Sequence, residues 1–222
     1  MSSRTRLLAN TKERKKLLEI GLFKGERPLI VHLGGAGHGQ HDEDEAVKTK
    51  EMAKIFPHTN FILIDRHIVT SKLPENAKAI HADFLKGLQH LPQADIISSD
   101  LSLGHYLPNR NWEAHIPDEE KELREYTQKV LRQVHQKLKT GGRFYLTLGQ
   151  EQSKAIKEQL MAAGFKEEDI TLRDLRPDEL DRTYWTRKYY KEKDWIRETH
   201  EKETGKTIPP KTYIKQVKAV KT

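Results

Sequence analysis

The segment from Pro28 to Gly39, PLIVHLGGAGHG, constrains the fold of this chain more than any other part of the sequence. Its apolar run, rich in β-branched and aliphatic side chains, is typical of a buried strand. The run stops at four glycines, which let the backbone turn sharply and approach a ligand without obstruction by a Cβ atom. The acidic, helix-forming segment His41 to Ile55 would bring a helix N-terminus to that turn. The pattern predicts the start of a βαβ unit, with a nucleotide-type cofactor at the turn.

Length and composition restrict the remaining choices. The chain has 222 residues, of which 35% are hydrophobic, so one substantial core with extensions is expected. No apolar run approaches the roughly 18 to 20 residues of a membrane span, and the N-terminus lacks the apolar segment of a secretory signal. The absence of cysteine excludes disulfides and thiolate metal sites. We therefore expect a cytoplasmic protein without a membrane partner.

Positive charge is concentrated at the two ends of the sequence. Residues 1–27 contain 8 Lys or Arg against 3 Asp or Glu, and residues 177–222 contain 12 against 8. Between them, residues 28–176 are nearly neutral, with 20 against 22. Basic flanks of this kind attract an anionic partner, although solubilising lysines produce the same pattern.

Strand-like and helix-like segments alternate along the chain. The strand candidates are Leu29 to Leu33, Asn60 to Asp65, Ala77 to Ala82, Asp95 to Ser99, Arg143 to Leu148, Ile170 to Leu175 and Lys211 to Val220. The helix candidates are residues 42–55, 84–90, 118–139 and 150–163. Because parallel neighbours need crossover connections, this order predicts a mainly parallel sheet with helices on both faces and an antiparallel last strand.

Three carboxylates follow successive strand candidates. Asp65 is the last residue of the second strand candidate, Asp83 follows the third candidate and Asp100 follows the fourth. Parallel sheets bind ligands outside the carboxyl ends of their strands, so these side chains are expected on one edge together with the glycine turn. Each could instead cap a helix, but the combination with the turn favours a cofactor site.

At these positions the sequence resembles the class I S-adenosylmethionine-dependent methyltransferases. The first motif of that family is an acidic residue followed by alternating glycines, and the segment LGGAGHG matches its G-x-G-x-G part. The resemblance implies that Gly35, Gly37 and Gly39 line the methionine part of the cofactor and that Gly34 also belongs to the cofactor site. Leu33 occupies the acidic position, which leaves the contact to the cofactor amino group to another residue.

Four further motifs follow in the family's order, and the resemblance covers about residues 28–175. Asp65, at the end of FILID, matches the acid that binds the ribose hydroxyls, and Asp83, in IHADF, matches the acid that accepts the adenine amino hydrogen. The segment ADIISSDLSL, with Asp100, matches the motif beside the reacting methyl, and LKTGGRF matches the last turn of the family's core. The resemblance implies a Rossmann-like three-layer αβα sandwich with a seven-stranded sheet, with S-adenosyl-L-methionine as cofactor and Asp100 as the candidate catalytic base or substrate anchor.

Other ligands fit the sequence less well. A nicotinamide dinucleotide site with G-x-G-x-x-G spacing from Gly35 would need glycine at Gln40. The segment EKETGKT resembles the end of a phosphate-binding loop, but His200 stands where glycine belongs. His38 and His41, followed by acids, are conceivable metal ligands, yet acids at a helix start are already explained by the helix dipole, and we predict no metal site.

Two segments outside the predicted core elements are candidates for substrate binding. The long connection 101–116 contains His105 and Tyr106, and a second segment, 182–190, interleaves cations with aromatic rings. Cations can contact phosphates while rings stack on exposed bases. The residues of the second segment that we assign to substrate binding are Arg182, Tyr184, Trp185, Arg187 and Lys188.

These observations define a domain organisation and a leading function. Residues 1–27 are expected to be a basic helical extension and residues 28–222 a methyltransferase domain, with 177–210 an insertion facing the substrate before the last strand. The leading hypothesis is an S-adenosylmethionine-dependent methyltransferase that acts on RNA, either tRNA or rRNA. The alternatives are an enzyme of the same fold that methylates a small molecule or a protein, and a non-catalytic cofactor-binding protein.

Overall fold

The computed structural model describes residues 27–35, 46–66, 68–100, 117–149, 153–175, 202 and 214–222. These residues form one seven-stranded sheet with helices packed on both of its faces. The predicted Rossmann-like three-layer sandwich is confirmed.

The strands occur close to the positions that the sequence predicts. They are β1 (Leu29–Leu33), β2 (Asn60–Asp65), β3 (Ala77–His81), β4 (Ala94–Asp100), β5 (Leu138–Gly149), β6 (Ile170–Asp174) and β7 (Ile214–Val220). Their order across the sheet is β3-β2-β1-β4-β5-β7-β6. Neighbours from β3 to β5 are parallel, whereas β7 is antiparallel to both β5 and β6. The last strand is therefore antiparallel, as predicted.

Four helices were identified in the described part of the chain. They are α1 (Val47–Ile55), α2 (Phe84–Gln89), α3 (Pro117–Lys137) and α4 (Ser153–Ala163), and a 3₁₀ turn, Glu167–Asp169, precedes β6. No described helix combines the length and the apolar composition that a membrane-spanning helix needs.

Alternate residues of β1 contact the two helical layers. Val31 and Leu33 belong to the larger core cluster, which α2, α3 and α4 cover, whereas Ile30 packs with Phe61 and Ala53 of α1 in a second cluster. All five residues of β1 are buried, as expected for a central parallel strand covered on both faces. Burial of these apolar side chains is the main stabilising contribution to the sheet.

Several helix boundaries differ from the predicted ones, and α4 for example begins at Ser153 instead of residue 150. The first helix begins at Val47 instead of residue 42, after Ala46 in the left-handed conformation with φ 53°. The long helix ends at Lys137, and Leu138, predicted as helical, is fully buried and pairs with Ala94 of β4. Because Leu138 fills the core as a strand residue, tertiary packing overrides its good helix propensity.

Asn76 holds the C-terminal end of α1 against the start of β3. Its side-chain Nδ2 donates to the backbone carbonyls of Ala53, Phe56 and Thr59 at 2.9, 3.0 and 2.8 Å. Those carbonyls lie in the last turn of α1 and the following loop, where a helix has no internal donors left. Asn76 therefore lies at the amino ends of the parallel strands, whereas the predicted site lies at their carboxyl ends.

Candidate cofactor site

The carboxyl end of β1 turns at two glycines that need the left-handed half of conformational space. Gly34 and Gly35 have φ of 83° and 95°. The Gly34 N–H donates to the carbonyl of Ile64 in β2 at 2.8 Å, which fixes the turn to the neighbouring strand. Apart from Gly35 itself and its chain neighbours, no heavy atom of the described residues lies within 4 Å of the position that a Cβ on Gly35 would occupy. The described part of the chain therefore leaves the backbone at Gly35 open to a close approach, as a cofactor would require.

Leu33, which stands where the family's first motif has an acid, is a core residue. Its side chain is 1% exposed and packs in the cluster covered by α2, α3 and α4. Position 33 therefore contributes apolar burial and no carboxylate to this edge.

The two acids that follow β2 and β3 lie at the same edge as the glycine turn. Asp65 is the last residue of β2, is half-buried and pairs in register with His81, the last residue of β3. Its carbonyl accepts a hydrogen bond from the Ala82 N–H at 2.9 Å, directly before Asp83. The structure thus brings the ends of β1, β2 and β3 together.

Asp83 is the N-cap of α2 and the centre of a hydrogen-bond network. Its Oδ1 accepts from the Leu85 N–H at 2.9 Å, as in a regular N-cap. Its Oδ2 accepts from Arg66 Nη2 at 2.6 Å and from the Tyr126 hydroxyl at 2.8 Å. Arg66 directly follows Asp65, and Tyr126 comes from the middle of α3.

The network favours the ionised form of Asp83. Burial opposes that form, but the hydrogen bonds from Arg66, Tyr126 and Leu85 and the charge of Arg66 outweigh burial and lower the pKa of the Asp83 carboxyl below its usual value of 3.8. At neutral pH this edge therefore carries a carboxylate ion-paired with a guanidinium.

The backbone of Asp100 ends β4 at the same edge. Ser99 pairs with Leu33 of β1, and Asp100 pairs with Thr147 of β5. The backbone at Asp100 therefore lies one step beyond the end of β1, beside the glycine turn.

Several predicted site residues lie outside the described part of the chain. These are Gly37, Gly39, His105, Tyr106, Arg182, Tyr184, Trp185, Arg187 and Lys188, together with His38 and His41. Their assignments, and the predicted extension 1–27 and insertion 177–210, remain predictions. Among the described residues, no group of three or more His, Asp or Glu side chains could hold a metal ion.

Comparison of the sequence with protein-family profiles and with curated proteins gives no significant match. Solved structures, in contrast, match over nearly the whole chain. One is a precorrin-8w decarboxylase from Methanobacterium thermoautotrophicum, with 19% identity, a TM-score of 0.50, and 94% of this chain and 89% of that chain covered. Another is an antibiotic-related methyltransferase, with 16% identity, a TM-score of 0.50 and 93% of both chains covered.

The chain has the class I S-adenosylmethionine-dependent methyltransferase fold. A third structure with this fold is phosphoethanolamine N-methyltransferase 2 from Haemonchus contortus in complex with S-adenosyl-L-methionine, at 14% identity and a TM-score of 0.50. The match covers 96% of this chain and 52% of that chain. At such low identity the likeness concerns the fold.

Within this methyltransferase fold, two polar residues of the edge were not identified by sequence reasoning. Arg66 carried a weak signal, because it is a cation that directly follows a strand-ending acid. Tyr126 carried none, because it is separated from Asp83 by 43 residues and lies in a helix with many polar residues. Only the packing of α3 against the sheet brings it to the edge.

Proposed function

We propose that this protein is an S-adenosylmethionine-dependent methyltransferase that binds its cofactor at the carboxyl ends of β1 to β4 and methylates RNA. The observation that carries the proposal is the convergence of the Gly34–Gly35 turn with Asp65 at the ends of neighbouring parallel strands. Ligands of open α/β sheets bind at such edges. A protein of the same fold that binds S-adenosyl-L-methionine supports the same cofactor here.

The residues of this edge fit the chemistry of that cofactor. The open approach to Gly35 suits the methionine part, and Gly37 and Gly39, which follow in the sequence, are further candidates for the same contact. The Asp65 carboxylate offers two acceptor oxygens for the two adjacent ribose hydroxyls. When bound, the cofactor supplies an activated methyl group on a sulfonium.

The chain itself would orient the acceptor and remove its proton. Asp100, at the end of β4, is our candidate for the group that hydrogen-bonds the methyl acceptor or takes its proton. Holding the acceptor in line with the transferred methyl converts a bimolecular encounter into a reaction between preoriented groups.

The basic flanks of the sequence favour RNA as the acceptor. Residues 1–27 and 177–222 are both rich in Lys and Arg, and the segment 182–190 alternates cations with Tyr and Trp. Phosphate contacts combined with stacking on unpaired bases are the usual means of binding single-stranded RNA. His105 and Tyr106, in the connection after β4, are further candidates for contacts with the substrate.

Calorimetric titration with S-adenosylmethionine tests the cofactor part of the proposal. The folded protein should bind it, and Asp65→Ala should weaken binding by at least about tenfold, because the hydrogen bonds that the charged carboxylate accepts from the ribose hydroxyls are lost. The matched control is Glu168→Gln, which removes an exposed carboxylate in the turn before β6. That turn lies at the amino ends of the parallel strands, away from the proposed site at their carboxyl ends. Absence of binding by the folded wild-type protein would contradict both enzyme hypotheses.

Transfer of labelled methyl to separated pools of RNA, protein and small molecules tests the substrate part. We expect label in RNA, with affinity for RNA that falls steeply as salt increases and that weakens in the Arg187→Ala/Lys188→Ala variant. Label only in the small-molecule or protein pool would favour the alternative enzymes. Cofactor binding without transfer to any pool would favour a non-catalytic binding protein, for which Leu33 in place of the motif acid is the supporting observation.

A further inference from the structure

Two lysine side chains are held at the amino ends of the parallel strands, around the start of β5. Lys137 Nζ donates to the carbonyls of Gln89 and Leu91, at 2.9 and 2.6 Å, where α2 ends. Lys221 Nζ donates to the carbonyl of Leu138 at 2.8 Å, and the Lys221 backbone is hydrogen-bonded to two glycines near the start of β5. The partners of both ammonium groups are neutral carbonyls, so these contacts leave the positive charges uncancelled.

Two further cations lie at the same end of the sheet. Lys139, the second residue of β5, pairs with Asp95 at 3.0 Å, and Asp95 also accepts from the Leu29 N–H at 2.8 Å. Arg27, which is exposed, lies two residues before Leu29. The contacts at this end thus include one acid against four cations. We call the four cations the amino-end cluster, and they are Arg27, Lys137, Lys139 and Lys221.

The cluster is positive although acids border it on one side. Residues 167–169, which form the turn before β6, are all acidic, and one of them accepts from the Thr222 hydroxyl at 2.9 Å. Burial, and secondly the charge of Lys221, lower the pKa of His135. The bordering acids therefore do not cancel the Lys221 charge, and the positive surface is centred on the start of β5.

The sequence that leads into the cluster is also basic. Residues 1–26 contain 7 Lys or Arg against 3 Asp or Glu, and Arg27 follows them. Like charges make that segment a poor partner for the cluster, whereas the two together suit a polyanion. The lysines of the cluster are already ordered by their contacts in the fold, so binding costs little further side-chain entropy. Each ammonium has three N–H donors, of which these contacts use two.

We propose that the amino-end cluster binds the phosphate backbone of the RNA substrate at a distance from the nucleotide that is methylated. The proposal rests on the proposed function, because RNA is there the methyl acceptor. Strand β5 begins at Leu138, beside the cluster, and reaches Thr147, which pairs with Asp100 at the predicted site. Residues 138–147 span about 30 Å in an extended strand, so an RNA in contact with both places extends over about that distance. Phosphate contacts position a nucleic acid without reading its sequence.

Thr140 offers a way to change the charge of the cluster without removing its contacts. It is exposed and directly follows Lys139 in β5. Thr140→Glu brings a carboxylate to the cluster, and Thr140→Lys adds a cation. Substitution of the lysines themselves would instead take donors away from carbonyls at the ends of α2 and α3 and disturb folding.

The matched control is Ala79→Glu. It makes the same change of net charge as Thr140→Glu, at an exposed position of β3. In the order of the sheet, β3 is four inter-strand spacings, or about 19 Å, from β5. At about 0.1 M salt, charges separated by that distance are largely screened from each other.

Each full-length variant is titrated with total RNA, and methyl transfer to the same RNA is measured as its concentration rises. We expect Thr140→Glu to weaken RNA binding about fivefold and Thr140→Lys to strengthen it by a similar factor, as one added charge close to a phosphate does in water. Both effects should shrink as salt rises. KM for RNA should follow the affinity, whereas kcat and the Kd for S-adenosylmethionine should keep their wild-type values, because the cluster is remote from the site. Ala79→Glu should stay within about twofold of wild type.

Two results would overturn the role of the cluster and leave the proposed function standing, provided that methyl transfer to RNA is intact. One is wild-type RNA affinity in both Thr140 variants. The other is an equal loss in Thr140→Glu and Ala79→Glu, which would be a response to net charge alone. Binding to vesicles of phosphatidylserine and phosphatidylcholine that Thr140→Glu abolishes, with RNA affinity unchanged, would assign the cluster to a membrane surface instead. Absence of both methyl transfer to RNA and salt-dependent RNA binding would overturn the proposed function, and this inference with it.

Discussion

A Cβ atom at position 87 would lie 2.4 Å from Cγ2 of Ile64, so helix α2 can approach strand β2 this closely only because Gly87 has no side chain. Both residues are buried, and Ile64 is fully inaccessible to solvent. The contact determines how near α2, and with it Asp83 at its N-cap, lies to the edge of the sheet.

Gly87→Ala should therefore destabilise the protein, although alanine is the better helix former. Overpacking of this kind costs about 1–3 kcal/mol, more than the gain in helix propensity. The measurement is the free energy of unfolding in urea. Ile64→Ala should be destabilising by itself, but the Gly87→Ala/Ile64→Ala double variant should be more stable than the sum of the two losses implies. Strict additivity would mean that the contact does not limit the packing of α2.

Replacing Asn76 should loosen the end of α1. Asn76→Ala leaves the carbonyls of Ala53, Phe56 and Thr59 without this donor and should lower the free energy of unfolding by about 1–3 kcal/mol. Asn76→Asp should cost more, because it points a negative charge at carbonyl oxygens. Asn60→Ala, at an exposed position of β2, is the matched control and should change stability by less than about 0.5 kcal/mol. Equal stabilities for the Ala variants at 60 and 76 would contradict this role of Asn76.

Asp83 should make stability depend on pH in the acidic range. Its folded pKa is lowered from 3.8, so the unfolded chain takes up the proton first as the pH falls. The stabilising contribution is therefore complete well above 3.8 and is lost as the pH falls through that value towards the folded pKa. Urea unfolding between about pH 6 and pH 3 should show a shallower loss of stability for Asp83→Asn than for wild type. Equal slopes for Asp83→Asn and the wild-type protein would contradict this role of Asp83.

His135 should add a second pH dependence, near neutrality. Burial, and secondly the charge of Lys221, lower the pKa of His135 below 6.5, and its ring packs edge-on against Phe165 with centroids 4.8 Å apart. The unfolded chain thus protonates this histidine more readily, and acidification favours unfolding. The contribution is complete above about pH 6.5 and is lost as the pH falls through 6.5 towards the folded pKa. His135→Gln should reduce the difference in unfolding free energy between pH 8 and pH 5.5, and an NMR titration of the ring should give the lowered pKa directly.

The strand ends could be read from the sequence because their signals are local. Each of these strands is a short apolar run, and Gly34, Asp65 and Asp100 mark the points where three of the runs end. In a parallel sheet such residues necessarily share one edge, and the structure has the ends of β1, β2 and β4 in adjacent register. The predicted fold and this edge followed from pattern and connectivity.

Other features depended on contacts between distant parts of the chain. The helix propensity of Leu138 did not reveal its pairing with Ala94, 44 residues away, and the start of α1 at Val47 was not evident from the acidic residues before it. The hydrogen bonds of Asp83 with Arg66 and Tyr126 were not evident from the sequence either, and the contact of Asp83 with a cofactor stays a prediction.

The class of fold, the positions of the strands and the sharing of one edge by Gly34, Asp65 and Asp100 could be deduced from the sequence, because hydrophobic period, glycine content and the order of the segments can be read along the chain. The tertiary structure alone decided which partner each polar group has. Asp83 meets Tyr126 only because α3 packs over α2 and the sheet, and Gly87 is required only because Ile64 lies against it. Such contacts depend on how whole elements pack, and no short window of sequence contains that information.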